Sequence, residues 1–218
     1  MTTVADQDYI KAIYRLEGEQ RAVSTSSLAA ILGVRPASVS GMLRKLNQIR
    51  MVNLQRYKGV RLTDRGRRTA LKVVRRHRLI ELFLVEILGL TWDRVHEEAD
   101  RLEHAISDQV LARMDELLGF PRFCPHGSPI PTSDGDLSHL PGVRLGQWPI
   151  GRVARVCEVD DRDPELLQHL SRIGLVPGAK FRVGNVLPFD GTLVLQIGRQ
   201  THHISPKVAS AVRVDADE

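Results

Sequence analysis

The sequence predicts a mainly α-helical protein with added β structure: a winged helix-turn-helix, a helical metal-binding segment and a small β-barrel. Three observations predict this architecture. A basic N-terminal third has the element order helix, short helix, helix, hairpin. Histidines and carboxylates recur at helical spacing in the middle of the chain, and the periodicity changes from helical to alternating after Pro149.

The N-terminal third has the element order of a winged helix-turn-helix. Apolar residues at helical spacing predict helices over 8–17, 24–33 and 36 to about 49. Residues 51–63 then alternate as two short strands joined by a turn.

Charge distinguishes this third from the rest of the chain. Residues 1–78 carry 17 lysines and arginines against 5 acidic residues, whereas the remainder carries 14 against 21. A basic module joined to an acidic remainder is typical of a nucleic-acid-binding domain with a second function attached. An ordinary three-helix bundle with a basic surface is the alternative.

The third predicted helix and the turn of the hairpin supply the candidate DNA contacts. Small residues at the start of the helix would let the backbone approach base edges, and its cationic residues can reach phosphate or guanine. The candidates are Arg35, Pro36, Ala37, Ser38, Ser40, Gly41, Arg44 and Lys45 on the helix, with Arg56, Tyr57 and Lys58 on the wing.

Two helices are predicted in the middle of the chain, over 65–88 and from Thr91 through Met114. The first carries His77 and Glu81, four residues apart among apolar neighbours. Buried ionisable groups are usually paired or coordinated, so this pattern predicts a site for a divalent first-row metal, with solvated surface charge as the alternative. The second helix carries two imidazoles and two carboxylates on one face: His96, Asp100, Glu103 and His104. Asp8, Cys124 and His126 could complete the site.

The C-terminal part has a different pattern. Residues 121–149 contain six prolines, which predicts a linker or an ordered loop. Beyond them, short alternating segments and one amphipathic helix at 164–173 predict a barrel of about 65 residues.

The composition argues against several classes of protein. No apolar run approaches the length of a transmembrane helix and no signal-peptide pattern occurs, so a soluble cytoplasmic protein without a membrane partner is expected. Two cysteines are too few for a disulfide scaffold. No nucleophile, dinucleotide or phosphate-loop motif occurs, so neither catalysis nor a small organic substrate is expected.

Four stretches carry a resemblance to a known family: RHRLIE at 76–81, VHEEAD at 95–100, LEHAISD at 102–108 and IGLVPG at 173–178. They are similar to the diphtheria toxin repressor and manganese transport regulator family. The resemblance implies a metal-dependent, homodimeric transcriptional repressor with two metal ions per subunit, which binds palindromic operator DNA and controls metal-homeostasis genes.

The resemblance also implies three domains. They are a winged helix-turn-helix DNA-binding domain at 1–72, a helical dimerisation and metal-binding domain at 73–143, and an SH3-like (FeoA-like) domain at 144–218.

Carried over residue by residue, the resemblance implies an activating metal site and a second metal site. The activating site would draw on Asp8, His77, Asp100, Glu103 and His104. The second site would use Glu81, Cys124 and His126, joined by His96 and by a carboxylate from the last domain, with Glu158 or Asp163 as candidates.

Asp8 and Asp100 bear on the choice of metal. They stand where iron-responsive members of the family carry a methionine and a cysteine, and hard oxygen donors favour Mn²⁺ over sites that contain sulfur. Lys11 stands where shorter manganese regulators have a ligating glutamate, so their two-ion arrangement is not expected here. The resemblance therefore implies Mn²⁺, with Fe²⁺ as the alternative.

Two competing hypotheses lie outside this function. They are a di-metal carboxylate enzyme and a winged-helix regulator with a purely structural metal.

Overall fold

The computed structural model describes residues 2–19, 23–55, 59–138 and 142–216. The chain divides into two compact units. The first comprises Met1–Arg76 and Pro131–Asp136, and the second comprises His77–Ile130 and Leu137–Glu218. The domain boundaries expected at 72/73 and 143/144 stay predictions. No helix among the described residues is long and apolar enough to span a membrane.

The first unit is a winged helix-turn-helix, as predicted. Its apolar core joins all three N-terminal helices, with Ile10, Ile13, Leu28 and Leu46 fully buried. The two strands pair in antiparallel register, with Val52 opposite Leu62. The elements are α1 (Val4–Glu19), α2 (Thr25–Leu32), α3 (Pro36–Gln48), β1 (Val52–Gln55), β2 (Gly59–Leu62) and the first part of α4 (Asp64–Glu86).

Local signals fix the turn between α2 and α3. Ser24 and Ser27 form a reciprocal capping box at the start of α2. Gly33 ends the same helix at φ 64°, a left-handed conformation that glycine adopts without steric cost. Pro36 begins α3, where its missing N–H is not needed. The helix carrying the candidate DNA contacts is therefore set directly after a short, well-defined turn.

The helical part of the second unit corrects one prediction. The expected single helix from Thr91 through Met114 is wrong, because α5 (Val95–Leu102) and α6 (Asp108–Leu117) are separate helices. The Ser107 side chain accepts a hydrogen bond from the Val110 N–H and so caps a new helix. Glu103 and His104 consequently lie at and just beyond the end of α5 rather than on a continuous helical face.

The C-terminal part of the second unit is a small antiparallel β domain, as predicted. Its sheet has the strand order β3-β8-β4-β5-β6-β7 and covers a core that includes Leu167, Leu175 and Leu195. A register shift between Val156 and Glu158 leaves Cys157 as an extra residue in β4. The elements are β3 (Val143–Arg144), a 3₁₀ turn (Leu145–Gln147), β4 (Val153–Val159), α7 (Pro164–Arg172), β5 (Lys180–Val186), β6 (Leu193–Ile197), β7 (Gln200–Ile204), α8 (Pro206–Ser210) and β8 (Val212–Asp215).

Candidate metal centre

His77 lies between two groups of metal-ligating side chains in the second unit. Its Nδ1 is 2.7 Å from Glu103 Oε2 and 3.2 Å from Asp100 Oδ1. Its Nε2 is 3.0 Å from Glu81 Oε1 and 3.0 Å from His96 Nδ1. The first donor group consists of His77, Asp100, Glu103 and His104. The second donor group consists of Glu81, His96, Cys124, His126 and Asp161.

The first donor group is partly open to solvent. The Asp100 side chain is 51% exposed, whereas Glu103 is buried beneath it. His104 Nε2 lies 3.3 Å from Glu103 Oε1. These separations are compatible with donor atoms that share one cation, because ligand atoms at about 2.0–2.2 Å from an ion lie about 3 Å apart. The structure thus brings together four of the five residues predicted for the activating site.

The second donor group is buried. Glu81 and His126 are completely inaccessible, and Cys124 is 5% exposed within the apolar core of the helical part. Ligand atoms of these three residues all lie within 4.8 Å of one another. Glu81 Oε2 and His126 Nδ1 are 3.7 Å apart, and neither has a hydrogen-bond partner among the described residues. Orphaned polar atoms in such a place are costly, and a bound cation would satisfy both.

A backbone carbonyl fixes the orientation of His126. The Trp92 carbonyl oxygen lies 2.8 Å from Nε2, which therefore serves as the N–H donor of the ring. The Trp92 indole also stacks on the imidazole, with ring centroids 5.6 Å apart. When one imidazole nitrogen is held in this way, the other is oriented as the metal ligand. Nδ1, the orphaned atom that faces Glu81, is thus the donor available to a metal.

The loop that carries Cys124 and His126 is pressed against strand β4. The Val159 N–H donates to the His126 carbonyl oxygen at 2.9 Å. Gly127 has φ 85°, and a Cβ atom there would lie 1.9 Å from the Cys157 carbonyl oxygen. Only glycine allows this backbone approach. The Arg78 guanidinium donates to the Pro129 carbonyl oxygen at 2.6 Å and ties the same loop to α4.

The β domain supplies Asp161 to the second donor group. His96 Nδ1 is 3.1 Å from Glu81 Oε1 and 3.8 Å from Asp161 Oδ2. Ligand atoms of these three residues also lie within 4.8 Å of one another. His96 thus lies beside Glu81, and it also belongs to a cluster with His77 and Asp100, because its Nε2 is 3.8 Å from Asp100 Oδ2.

The expectation of Glu158 or Asp163 in this position is corrected. The Glu158 carboxylate accepts a hydrogen bond from the Ser128 hydroxyl at 2.5 Å. Asp163 caps α7 by accepting from the backbone N–H groups of Glu165 and Leu166. Neither carboxylate joins a cluster of metal-ligating atoms found among the described residues. A cap requirement before Pro164 could have excluded Asp163 from the sequence, but nothing in the sequence separates Asp161 from its neighbours.

Neighbouring acidic side chains raise the pKa values of two histidines in these groups. Burial acts to lower the pKa of His77, but the carboxylates around it, above all Glu81, outweigh burial and raise the pKa to about 10. Burial acts in the same direction on His126, whose pKa Cys124 and Glu81 raise to about 11. Burial would raise the pKa of Glu81, yet the imidazoles hold it well below its usual range. Both imidazoles therefore carry positive charge that a cation would replace.

The remaining predicted residues lie in the first unit. Asp8 is half-buried on α1. Lys45 is ion-paired with Asp6 at 2.7 Å, which the sequence did not predict. The wing candidates Arg56, Tyr57 and Lys58 lie outside the described residues. The other DNA-contact candidates are exposed on and just before α3: Arg35, Pro36, Ala37, Ser38, Ser40, Gly41 and Arg44.

Comparison with known proteins decides the family. Residues 1–60 match the model of the iron dependent repressor N-terminal DNA binding domain, residues 63–132 match its metal binding and dimerisation domain, and residues 143–216 match the FeoA domain. The iron-dependent repressor IdeR of Mycobacterium tuberculosis is 31% identical over 95% of this chain and 95% of its own length. This chain belongs to the diphtheria toxin repressor family of metal-dependent transcriptional repressors.

Two further repressors are similar to this chain along nearly its whole length. The diphtheria toxin repressor of Corynebacterium glutamicum is 30% identical over 96% of this chain and 95% of its own length. The solved structure of a manganese-dependent transcriptional repressor in complex with manganese is 39% identical, with a TM-score of 0.92, and covers 97% of this chain and 100% of that chain. The predicted fold class is confirmed: a DNA-binding helix-turn-helix domain, a helical metal-binding and dimerisation domain, and an SH3-like FeoA domain.

Proposed function

We propose that this chain is a homodimeric repressor of metal-ion homeostasis genes in the cytoplasm, activated by Mn²⁺ to bind a palindromic operator. The observation that carries the choice of Mn²⁺ is the composition of the first donor group. Asp100 presents a carboxylate beside Glu103, and no sulfur atom belongs to this group. Hard oxygen donors with imidazole suit Mn²⁺ better than sulfur-containing sets do.

The activating site, in this proposal, consists of the first donor group and Asp8. The bound ion supplies positive charge that offsets three carboxylates. Asp8 lies on α1, which shares an apolar core with the DNA-contacting helix α3. Holding the Asp8 carboxylate against the first donor group would therefore also restrain α3.

The second site consists of Glu81, Cys124, His126 and Asp161, with His96 beside them. Its support is the pair of orphaned buried atoms and the orientation of the His126 ring. Because loop and β domain both contribute, an ion here would fasten the FeoA domain to the helical domain. The presence of two donor groups supports two ions per subunit.

The DNA-contacting surface, in this proposal, is the exposed start of α3, joined by the wing residues Arg56, Tyr57 and Lys58. Small residues from Pro36 to Gly41 leave the helix backbone accessible to base edges, and Arg44 can reach phosphate. A homodimer presents two such helices, so the operator is expected to be palindromic, with half-sites about one helical turn (34–36 Å) apart or a multiple of that spacing.

Fe²⁺ is the second candidate activator. The buried thiol of Cys124 is a softer donor than any in the first group, and several relatives are described as iron-dependent repressors. Affinity alone ranks Mn²⁺ below Fe²⁺ in the divalent series, so selectivity for Mn²⁺ must come from the ligand set.

The test is a metal titration of DNA binding. A duplex selected from a randomised library in the presence of Mn²⁺ is labelled, and its fluorescence anisotropy is followed as Mn²⁺, or Fe²⁺ without oxygen, is added. The proposal expects specific binding only with metal and a response to Mn²⁺ at physiological levels. Equal binding in the presence of a chelator would make the metal structural only. Absence of any selected sequence would reopen the di-metal enzyme hypothesis.

A further inference from the structure

The first turn of α1 is held to α3 by an ion pair whose carboxylate is buried and whose lysine side chain is 46% exposed. Asp6 is 1% exposed, and its Oδ1 lies 2.7 Å from Lys45 Nζ. Its other oxygen, Oδ2, accepts a hydrogen bond from the Thr3 N–H at 2.9 Å, and the Asp6 N–H in turn donates to the Thr3 hydroxyl. The Asp6 carboxylate thus hydrogen-bonds the backbone at the start of α1 and is ion-paired with α3.

The opposite end of α1 is attached elsewhere in the first unit. The Glu17 carboxylate accepts from the Leu62 N–H at 2.6 Å and from Arg67 at 2.5 Å. These partners belong to β2 and α4. The Asp6 end of α1 therefore carries a polar restraint to α3, and it lies two residues from Asp8, which the proposed function assigns to the activating ion.

We propose that the Asp6–Lys45 pair transmits the position of α1, and with it of Asp8, to α3, and that Lys45 is a positioning residue rather than a DNA contact. This inference rests on the proposed function. If Lys45 turned to a DNA phosphate, the buried Asp6 carboxylate would lose its cation, and that cost opposes the gain from an exposed phosphate contact. Arg44, its neighbour, has no such partner: its Nε donates only to the Ser40 carbonyl oxygen among the described contacts.

The decisive quantity is the metal-dependence ratio, defined as the DNA dissociation constant measured with a chelator divided by the DNA dissociation constant measured with Mn²⁺. We expect Lys45→Met and Asp6→Asn each to lower this ratio about tenfold. Lys45→Arg keeps the cation and should keep the ratio. The double variant Asp6→Asn/Lys45→Met should lower it no further than the single variants, because both act through one pair.

The free energy of unfolding of the variants shows whether the Asp6–Lys45 pair positions α3 or only stabilises the fold. Lys45→Met leaves a buried carboxylate unpaired and should unfold at lower denaturant concentration, whereas the double variant removes the orphan charge and should recover. Under the proposal the double variant recovers stability but not the metal-dependence ratio. Recovery of both would overturn it.

The salt dependence of operator binding by the Mn²⁺-loaded protein provides the matched control. Removing a phosphate contact lowers the slope of log K against log salt concentration by about one per subunit. Arg44→Met should lower this slope and leave the metal-dependence ratio unchanged. Lys45→Met should leave the slope unchanged. Equal loss of slope in both would make Lys45 a DNA contact. If the unmodified protein shows no response to Mn²⁺, the proposed function itself fails, and the unfolding data still report on the pair.

Discussion

The two donor groups differ in how complete they are before a metal binds. The second donor group is closed: Glu81 and His126 are inaccessible, and the His126 ring is already oriented by the Trp92 carbonyl. The first donor group is open, with the Asp100 side chain 51% exposed. A preformed buried site suits an ion that stabilises the fold, whereas an open site suits an ion that is sensed. We therefore propose that an ion in the second donor group would be structural and that an ion in the first donor group would be regulatory.

The largest expected effect is that of Asp8→Ala. Without this carboxylate the activating ion would lose its connection to α1, so Mn²⁺ should no longer strengthen DNA binding, while the dimer persists. Anisotropy with the selected duplex measures the first quantity and analytical ultracentrifugation the second. Asp134→Ala, an exposed carboxylate of the same unit, is the control. Full stimulation by Mn²⁺ in Asp8→Ala would remove Asp8 from the activating site.

Gly127→Ala should disrupt the second donor group through the backbone. A Cβ atom would lie 1.9 Å from the Cys157 carbonyl oxygen and φ is 85°, so we expect a loss of about 3 kcal/mol in the free energy of unfolding. Gly146→Ala is the control, because a Cβ there meets no atom within 4 Å. Denaturant titration checks the prediction. Equal stability of the two variants would show that the loop is not held against β4 as described.

Metal binding should compete with protons at both groups. The pKa of His77 is raised to about 10 and that of His126 to about 11, from an ordinary value of 6.5. The stabilisation from these protonated imidazoles is fully present below pH 6.5 and is lost as pH rises through the folded-state values. Since a metal must displace the protons, its apparent affinity should rise about tenfold per pH unit for each proton released. Calorimetry in buffers of different ionisation enthalpy would count the protons, and a pH-independent affinity would contradict the charge state described here.

Trp92→Ala should weaken the second ion selectively. Loss of the stacked indole frees the His126 ring, and removal of an outer partner of this kind costs about tenfold in metal affinity. Trp92→Phe keeps a stacking ring and should bind nearly as the unmodified protein does. With Cys157 replaced by serine, the ultraviolet charge-transfer band of Cd²⁺ with the Cys124 thiolate reports this site alone. An unchanged titration of Trp92→Ala would mean that the backbone carbonyl suffices to orient the ring.

Periodicity and charge predicted the elements of the DNA-binding domain and most strands of the FeoA domain, because each of those segments buries one regular face. The break between α5 and α6 escaped prediction, since the apolar pattern continues through Ser107 and only its capping hydrogen bond ends the run. Helical spacing predicted that the candidate ligands share one face of α4 and one face of α5. In the structure His77 on α4 does lie against Glu81 and against His96 of α5.

Contacts that depend on tertiary structure could not be predicted. Asp161 follows β4 in a loop with no periodicity, and its position near Glu81 and His96 depends on how the β domain packs. The Trp92 contact to His126 is made by a backbone carbonyl, which leaves no signature in the side chain. The Asp6–Lys45 pair joins residues 39 positions apart, whose charges alone suggested DNA contact for the lysine.

The substitution Asp100→Met tests whether the oxygen donors of the first donor group make this a manganese-responsive repressor. The variant and the unmodified protein would be titrated with Mn²⁺ and, without oxygen, with Fe²⁺, and the metal concentration that half-saturates operator binding would be measured for each. We predict that the unmodified protein responds to Mn²⁺ at physiological levels and that the variant shifts toward Fe²⁺ by about tenfold or more in the ratio of the two midpoints. The same ratio in both proteins would show that Asp100 does not determine the choice of metal.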